Sequence, residues 1–214
     1  MNYELVIFDC DGVLVDSESI VCRVIAEEMQ AIGLETTVEE VDRRFTGRTA
    51  EDCLLEIEKE FGGPLPANYF DNCERRIREL FHRDLEPVAG IQELLEHLTE
   101  TATPVCVASS GSHEKMRLTL GKTNLLPYFN GHVFSAEDVG RGKPWPDLFL
   151  FAAKKFHVEP SRCLVIEDSV PGVKAAVAAG MKVIGYAADQ YRVKPLENAG
   201  AKVVLDLSSI SALL

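Results

Sequence analysis

Long apolar runs are missing from this sequence. It contains no stretch of about 18 uninterrupted apolar residues, so no membrane-spanning segment is expected. The first strand-like apolar pattern begins at Leu5, which leaves no room before it for a secretory signal peptide. The expected compartment is therefore the cytosol, and no membrane partner is expected.

Metal-binding and disulfide patterns of cysteine are also absent. None of the six cysteines forms a C-x-x-C pair or stands at zinc spacing from a histidine. Cys10, Cys106 and Cys163 lie in or beside apolar strand patterns. We therefore interpret the cysteines as reduced packing residues in a reducing compartment.

Positive charge is scarce. Lysine and arginine number 22 against 34 acidic residues, which gives a net charge of −12. This balance argues against nucleic acid as a partner. It would also disfavour an anionic substrate, unless a metal ion, a lysine and helix N-termini supply local positive charge.

The chain contains, near its start, an apolar run followed by two acids. Leu5 to Phe8 predicts a buried strand, after which come Asp9, Asp11 and Gly12. Ligands of open α/β sheets bind beyond the carboxyl ends of the strands. Two aspartates at such an end suit a divalent metal and a phosphoryl group, although Asp and Gly are also common in ordinary turns.

The order of helix and strand patterns predicts the architecture. Residues 17–86 show only helical patterns, about four of them, whereas helix and strand patterns alternate from Pro87 onward. Such alternation is typical of an α/β fold with a doubly wound, Rossmann-like parallel sheet. We expect a split catalytic core, residues 1–16 and 87–214, with an inserted α-helical cap at 17–86.

Two later positions, in addition to the acidic pair described below, carry polar residues at or near predicted strand ends. Ser109 ends one strand and is followed by Ser110, Gly111 and a helix N-terminus, which suits a phosphate. Lys143 lies between Gly142 and Pro144 in a later loop.

An acidic pair, Glu167 and Asp168, ends another strand. Two adjacent acids would repel each other, and a bound cation explains them economically.

The carboxyl ends of parallel strands lie on one edge of the sheet, so these side chains should meet. The expected cluster comprises Asp9, Asp11, Ser109, Lys143, Glu167 and Asp168. Its oxygen-only ligands indicate Mg²⁺ as the cofactor.

Taken in order, these motifs resemble the haloacid dehalogenase superfamily of phosphohydrolases. They are Asp-x-Asp-Gly-x-x-x-Asp-Ser, a strand ending in Ser, Gly-Lys-Pro, and Glu-Asp-Ser-x-x-Gly, and together they span most of the chain. The helical insertion is similar to the small helical cap of that superfamily.

The resemblance implies a role for each motif residue. Asp9 would be the nucleophile that forms an aspartyl-phosphate, and Asp11 the general acid and then the general base. Ser109 and Lys143 would bind the phosphoryl group. Mg²⁺ would be held by the Asp9 carboxylate, the Asp11 backbone carbonyl and Asp168, with Glu167 close by or ligating.

The second aspartate and the cap sequence distinguish branches of the family. Dehalogenases lack an aspartate at the position of Asp11. Phosphonate hydrolases need a lysine near the first cap helix to form a Schiff base, and residues 17–29 contain none. Mutases of the β-phosphoglucomutase type carry a histidine there, which residues 19–23 lack. A phosphatase is favoured, with a sugar-phosphate mutase or a catalytically idle binding relative as alternatives.

The expected substrate is a small phosphorylated metabolite, and no obligate protein partner is inferred. Gly47 and Arg48 lie in a segment that resembles the family's specificity loop. Arg48 either clamps a substrate carboxylate or is a solvated turn residue. His113 either contacts the substrate or is simply a residue at a helix N-terminus. Segments around Ser109–Gly111 and Lys115 are similar to 6-phosphogluconate phosphatases, which implies a sugar or sugar-acid phosphate.

Overall fold

The computed structural model describes residues 3–46, 48 and 50–214, which form two compact units. One unit comprises the chain up to Asp16 together with Glu86–Leu214, and the other comprises Ser17–Leu85. Each unit has its own cluster of buried apolar side chains. That the helical unit serves as a cap stays a prediction.

The larger unit is built on a six-stranded sheet in which every pairing is parallel. The strands are β1 (Leu5–Phe8), β2 (Val105–Ser109), β3 (Val133–Ser135), β4 (Cys163–Glu167), β5 (Lys182–Tyr186) and β6 (Lys202–Val204). Their order across the sheet is β3-β2-β1-β4-β5-β6. The predicted α/β class with a doubly wound parallel sheet is thereby confirmed.

The helices of both units are α1 (Ser17–Ala31), α2 (Val38–Phe45), α3 (Ala50–Phe61), α4 (Tyr69–Asp84), α5 (Ile91–Glu100), α6 (His113–Lys122), α7 (Asp147–Lys155), α8 (Val170–Ala178) and α9 (Gln190–Ala199). Helix α9 is not predicted by the sequence analysis, and Pro195 lies inside it. Proline is unusual in a helix interior, since it lacks the N–H that the helix needs. Among the described residues, no helix is long and apolar enough to cross a membrane.

Both faces of the central strands are covered. All four residues of β1 and all five of β4 are buried. Leu5 and Ile7 belong to the same buried cluster as Phe149, whereas Phe8 meets Phe129 edge to face with ring centroids 6.1 Å apart. This cover explains why these strands read as continuous apolar runs.

The chain leaves the larger unit and returns to it at one place. The Asp16 N–H donates to the Glu86 carbonyl at 3.0 Å, and the Val88 N–H donates to the Leu14 carbonyl at 3.0 Å. The two connecting segments therefore support each other, and the insertion leaves the order of the sheet intact.

Candidate active site

A tight turn directly follows β1 and fixes the two aspartates. Gly12 has φ of +74°, a conformation that favours glycine. A Cβ at Gly12 would also lie 2.2 Å from Oδ2 of Asp168. Glycine is thus required here both for the backbone conformation and for the close approach of the Asp168 carboxylate.

Lys143 links β1 to β4 through two carboxylates. Its Nζ donates to Oδ1 of Asp9 and to Oε1 of Glu167, each at 2.7 Å. The Lys143 side chain is only 4% exposed and that of Glu167 is fully buried. This is a buried ion cluster that draws on three segments far apart in sequence.

Burial shapes the charges of this cluster. It is the main cause that raises the pKa of Asp9 to about 7; the charge of Lys143 opposes this rise and that of Glu167 adds to it. Burial alone would lower the Lys143 pKa, but the charges of Asp9 and Glu167 outweigh it and raise that pKa above the usual value. Lys143 is therefore a fixed cation beside Asp9.

The Glu167 carboxylate is enclosed by the start of α8. Its Oε2 accepts a hydrogen bond from the Ser169 N–H at 2.6 Å. A Cβ at Gly172 would lie 1.6 Å from Oε1 of Glu167. The helix can cover the carboxylate only because residue 172 has no side chain.

Asp168 has a cationic neighbour that the sequence analysis missed. Nη1 of Arg192 donates to Oδ2 of Asp168 at 3.4 Å, and the two side chains are 11% and 7% exposed. Arg192 lies in α9, the helix that was not predicted.

A second missed cation, Lys115, contacts Asp11. Lys115 Nζ donates to Oδ2 of Asp11 at 2.8 Å. Ser109 is close to this pair: a Cβ at Gly111 would be 3.5 Å from Ser109 Oγ and 3.6 Å from Asp11 Oδ2. A lysine on a helix usually indicates a solvated face, so the sequence alone offers no signal for this contact.

The cations offset much of the acidity at this sheet edge. When all of these groups are ionised, four carboxylates face three cations, Lys115, Lys143 and Arg192. One negative charge is left, and a divalent cation would change it to one positive charge. Such a balance suits a phosphate in an otherwise acidic protein.

The acidic cluster fits a hard divalent cation. Asp9, Glu167 and Asp168 are buried, and each offers a carboxylate oxygen that lies within 4.8 Å of the other two. Oxygen donors of this kind suit Mg²⁺, and the raised pKa of Asp9 is the signature of a buried acid short of positive charge. Asp9 and Asp168 are the leading candidates for ligands, because Glu167 already has Lys143 on one oxygen and the Ser169 N–H on the other.

Other predicted site residues have different surroundings. His113 contacts Asp138 through Nε2 at 3.0 Å, while its backbone N–H donates to Glu137 at 3.1 Å. Arg48 forms an ion pair with Glu56. Ser110 is exposed at the end of β2, and Gly47 lies outside the described residues.

Cys10, between the two aspartates, is buried and contacts Thr119 at 3.9 Å. Burial raises the pKa of its thiol far above the ordinary value, so the thiolate is disfavoured. Cys10 is therefore a packing residue, as expected.

Family comparison agrees with the fold. Residues 3–180 match the haloacid dehalogenase-like hydrolase family. The chain therefore belongs to that family.

Individual relatives indicate which kind of hydrolase this family member is. The 6-phosphogluconate phosphatase of Escherichia coli K12 is 36% identical over 211 residues, which cover 98% of this chain and 94% of that protein. A family hydrolase of Deinococcus radiodurans, solved with bound phosphate and sodium, has a TM-score of 0.87 at 30% identity and covers 100% of this chain and 98% of its own. A putative β-phosphoglucomutase of Thermotoga maritima has a TM-score of 0.83 at 26% identity, with 98% and 97% covered. The phosphatase-named relatives support a phosphoric monoester hydrolase.

Gly172→Ala tests the enclosure of Glu167. The new methyl group would collide with the carboxylate, so we expect the free energy of unfolding to fall by about 1–3 kcal/mol and phosphatase activity to be lost. Gly121→Ala is the matched control, because Gly121 is also helical and has open space around it; it should raise stability by about 0.5–1 kcal/mol. Equal effects of the two substitutions in denaturant unfolding would contradict this account of Gly172.

Stability of the metal-free protein should depend on pH through Asp9. Its pKa of about 7 in the folded state exceeds the ordinary 3.8, so between these pH values the folded state holds a proton that the unfolded state has released. The free energy of unfolding therefore falls as the pH rises toward 7. Between about pH 5 and pH 8, the free energy of unfolding of the wild type should fall relative to that of Asp9→Asn by on the order of 1 kcal/mol or more. Unfolding curves in chelator measure this difference, with the exposed Asp71→Asn as control. A difference that does not change with pH would refute the assignment.

Proposed function

We propose that this protein is an Mg²⁺-dependent phosphatase that hydrolyses a small phosphomonoester through an aspartyl-phosphate on Asp9. The observation that carries the proposal is the buried Asp9 carboxylate, held at 2.7 Å by Lys143 within an oxygen-only acidic cluster. The similarity to phosphatases over nearly the whole chain supports the same reaction class.

In the first half of the reaction, a carboxylate oxygen of Asp9 attacks phosphorus. The bond from phosphorus to the leaving oxygen breaks, and Asp11 gives that oxygen a proton, so an alcohol departs. Lys143 and Ser109 bind the phosphoryl oxygens, and Lys143 offsets their charge.

In the second half, the Asp11 carboxylate accepts a proton from water. The water oxygen attacks phosphorus, the bond to Asp9 breaks, and inorganic phosphate leaves. Asp9 is again a carboxylate and Asp11 is again protonated, so the cycle closes without an external acid or base.

Asp9 and Asp168, together with the backbone carbonyl of Asp11, would hold Mg²⁺. When bound, the ion would screen the repulsion between the Asp9 carboxylate and the phosphoryl oxygens. Glu167 then acts chiefly on Lys143, which it fixes beside Asp9.

We further propose that the substrate is a sugar or sugar-acid phosphate and that Arg48 of the helical unit recognises a carboxylate on it. Arg48 already binds a carboxylate, that of Glu56, and its guanidinium also donates to the carbonyls of Arg44 and Asp52 at 3.3 Å each. These contacts hold the guanidinium in place, and a substrate carboxylate would take the position that the Glu56 carboxylate now occupies. The 6-phosphogluconate phosphatase relative makes 6-phosphogluconate the first substrate to test.

Water, rather than a second sugar hydroxyl, is the proposed acceptor. Residues 19–23, the segment where the mutases carry their histidine, contain no histidine, so the side chain that assists transfer to a sugar hydroxyl in those enzymes is absent from it. A mutase would need an added sugar bisphosphate for turnover, whereas a phosphatase would consume it.

Asp9→Asn should abolish catalysis, because an amide is no nucleophile here. With p-nitrophenyl phosphate and Mg²⁺, we expect kcat to fall by about three orders of magnitude or more. Asp71→Asn should keep full activity, and chelator should silence the wild type until Mg²⁺ is restored. An Asp9→Asn protein with unchanged turnover would remove the central assignment.

Arg48→Met should separate substrates by their carboxylate. Loss of a charge-assisted pair should raise KM for 6-phosphogluconate by about tenfold or more and leave p-nitrophenyl phosphate nearly unaffected. Arg75→Met is the matched control, since Arg75 forms an exposed pair with Glu79 on α4. The same KM in both variants, or an equal loss on both substrates, would exclude Arg48 as the carboxylate-binding residue.

A further inference from the structure

Lys115 reaches back from α6 to the turn after β1. It is the third residue of α6, and its Nζ donates to Oδ2 of Asp11 at 2.8 Å, across 104 positions of sequence. Its backbone is fixed on both sides: the N–H donates to Ser112 Oγ at 3.2 Å, and the carbonyl accepts from Thr119 Oγ1 at 3.1 Å. The side chain therefore starts from a rigid point in the first turn of the helix.

Gly111 lies beside the place where Lys115 and Asp11 meet. A Cβ at Gly111 would lie 3.7 Å from Lys115 Cδ, 3.6 Å from Asp11 Oδ2 and 3.5 Å from Ser109 Oγ. The aliphatic stem of Lys115, the Asp11 carboxyl group and the Ser109 hydroxyl thus border the same position. The ammonium group consequently lies among the atoms that the proposed reaction uses.

Stability alone is a weak reason for this ion pair. The side chains of Lys115 and Asp11 are 38% and 18% exposed, and pairs as open as this contribute little to folding. A lysine on the exposed side of α6 would have served solubility equally well. The contact with Asp11 is therefore more informative about the reaction than about the fold.

We propose that Lys115 is a positioning residue for Asp11: its ammonium group holds Oδ2, which orients the carboxyl group so that Oδ1 carries the proton to and from the reacting oxygens. This inference rests on the proposed function, in which Asp11 is the general acid and base. The hydrogen bond to Oδ2 is compatible with both states of Asp11, since the carbonyl oxygen of a carboxylic acid is also an acceptor.

Leaving groups of different basicity distinguish this role from others. A basic leaving oxygen needs a proton from Asp11, whereas p-nitrophenolate is stable as an anion and leaves without one. Phenyl phosphate and p-nitrophenyl phosphate share a phosphate and nearly share a shape, but phenolate is much the more basic. Because kcat/KM reports the steps from free enzyme and substrate to the first irreversible one, it includes the departure of the leaving group and excludes the later hydrolysis of the aspartyl-phosphate.

Lys115→Met keeps the stem and removes the donor. We expect kcat/KM for phenyl phosphate to fall by about tenfold to 100-fold, and that for p-nitrophenyl phosphate by roughly threefold at most. Lys115→Arg should restore both values, because it keeps a cationic donor. Lys122→Met, at the exposed end of the same helix, should match the wild type on both esters.

Equal losses on the two esters would mean that Lys115 contacts the phosphate itself and would overturn the positioning role. No loss on either ester would overturn it as well. If Lys115→Met does not fold, as judged by its circular dichroism, the comparison rests on Lys115→Gln, a neutral side chain that should show the same selective loss. An active Asp9→Asn protein would instead refute the proposed function, so the two failures are distinguishable.

Discussion

The ammonium group of Lys143 is the contact on which this site depends. It binds Asp9 at the end of β1 and Glu167 at the end of β4, both at 2.7 Å, in surroundings that exclude nearly all solvent. Breaking a buried ion pair by removing one partner costs about 3–5 kcal/mol, because the other charge is left uncompensated. Adjacent features serve this cluster: the turn at Gly12 admits Asp168, and Gly172 lets α8 cover Glu167.

This arrangement favours chemistry over stability. Burial raises the pKa of Asp9 to about 7, so this nucleophile ionises less readily in the folded protein than it would in water. The charge of Lys143 already keeps this pKa from rising further, and a hard divalent cation would lower it. Local cations also resolve the conflict between a net charge of −12 and an anionic substrate.

Much of the site could be predicted because parallel strands end in readable signals. Asp9, Ser109 and Glu167 each follow or close an apolar run, and the parallel sheet brings those ends to one edge. Lys143 was identified by its place between Gly and Pro rather than on a helix. The roles given to these residues stay proposals, but their proximity in the core follows from topology alone.

The two missed cations mark where such reasoning stops. Lys115 lies on a helix, where lysine is ordinarily solvated, and only the tertiary fold shows that it points to Asp11. Arg192 lies in α9, whose Pro195 obscures the helical pattern in the sequence. Local patterns predict elements and strand ends, whereas contacts made by long flexible side chains depend on packing that no single segment encodes.

The central claim is that Asp9 carries the phosphoryl group during turnover. The direct test is rapid acid quench of the enzyme during hydrolysis of p-nitrophenyl phosphate, followed by borohydride reduction and mass spectrometry of the peptide that contains Asp9. Borohydride reduces an acyl phosphate to an alcohol, so the account predicts homoserine at position 9 in the wild type and unmodified Asp11. Reduction at Asp11, or an unmodified peptide at a time when turnover is limited by hydrolysis of the intermediate, would contradict it.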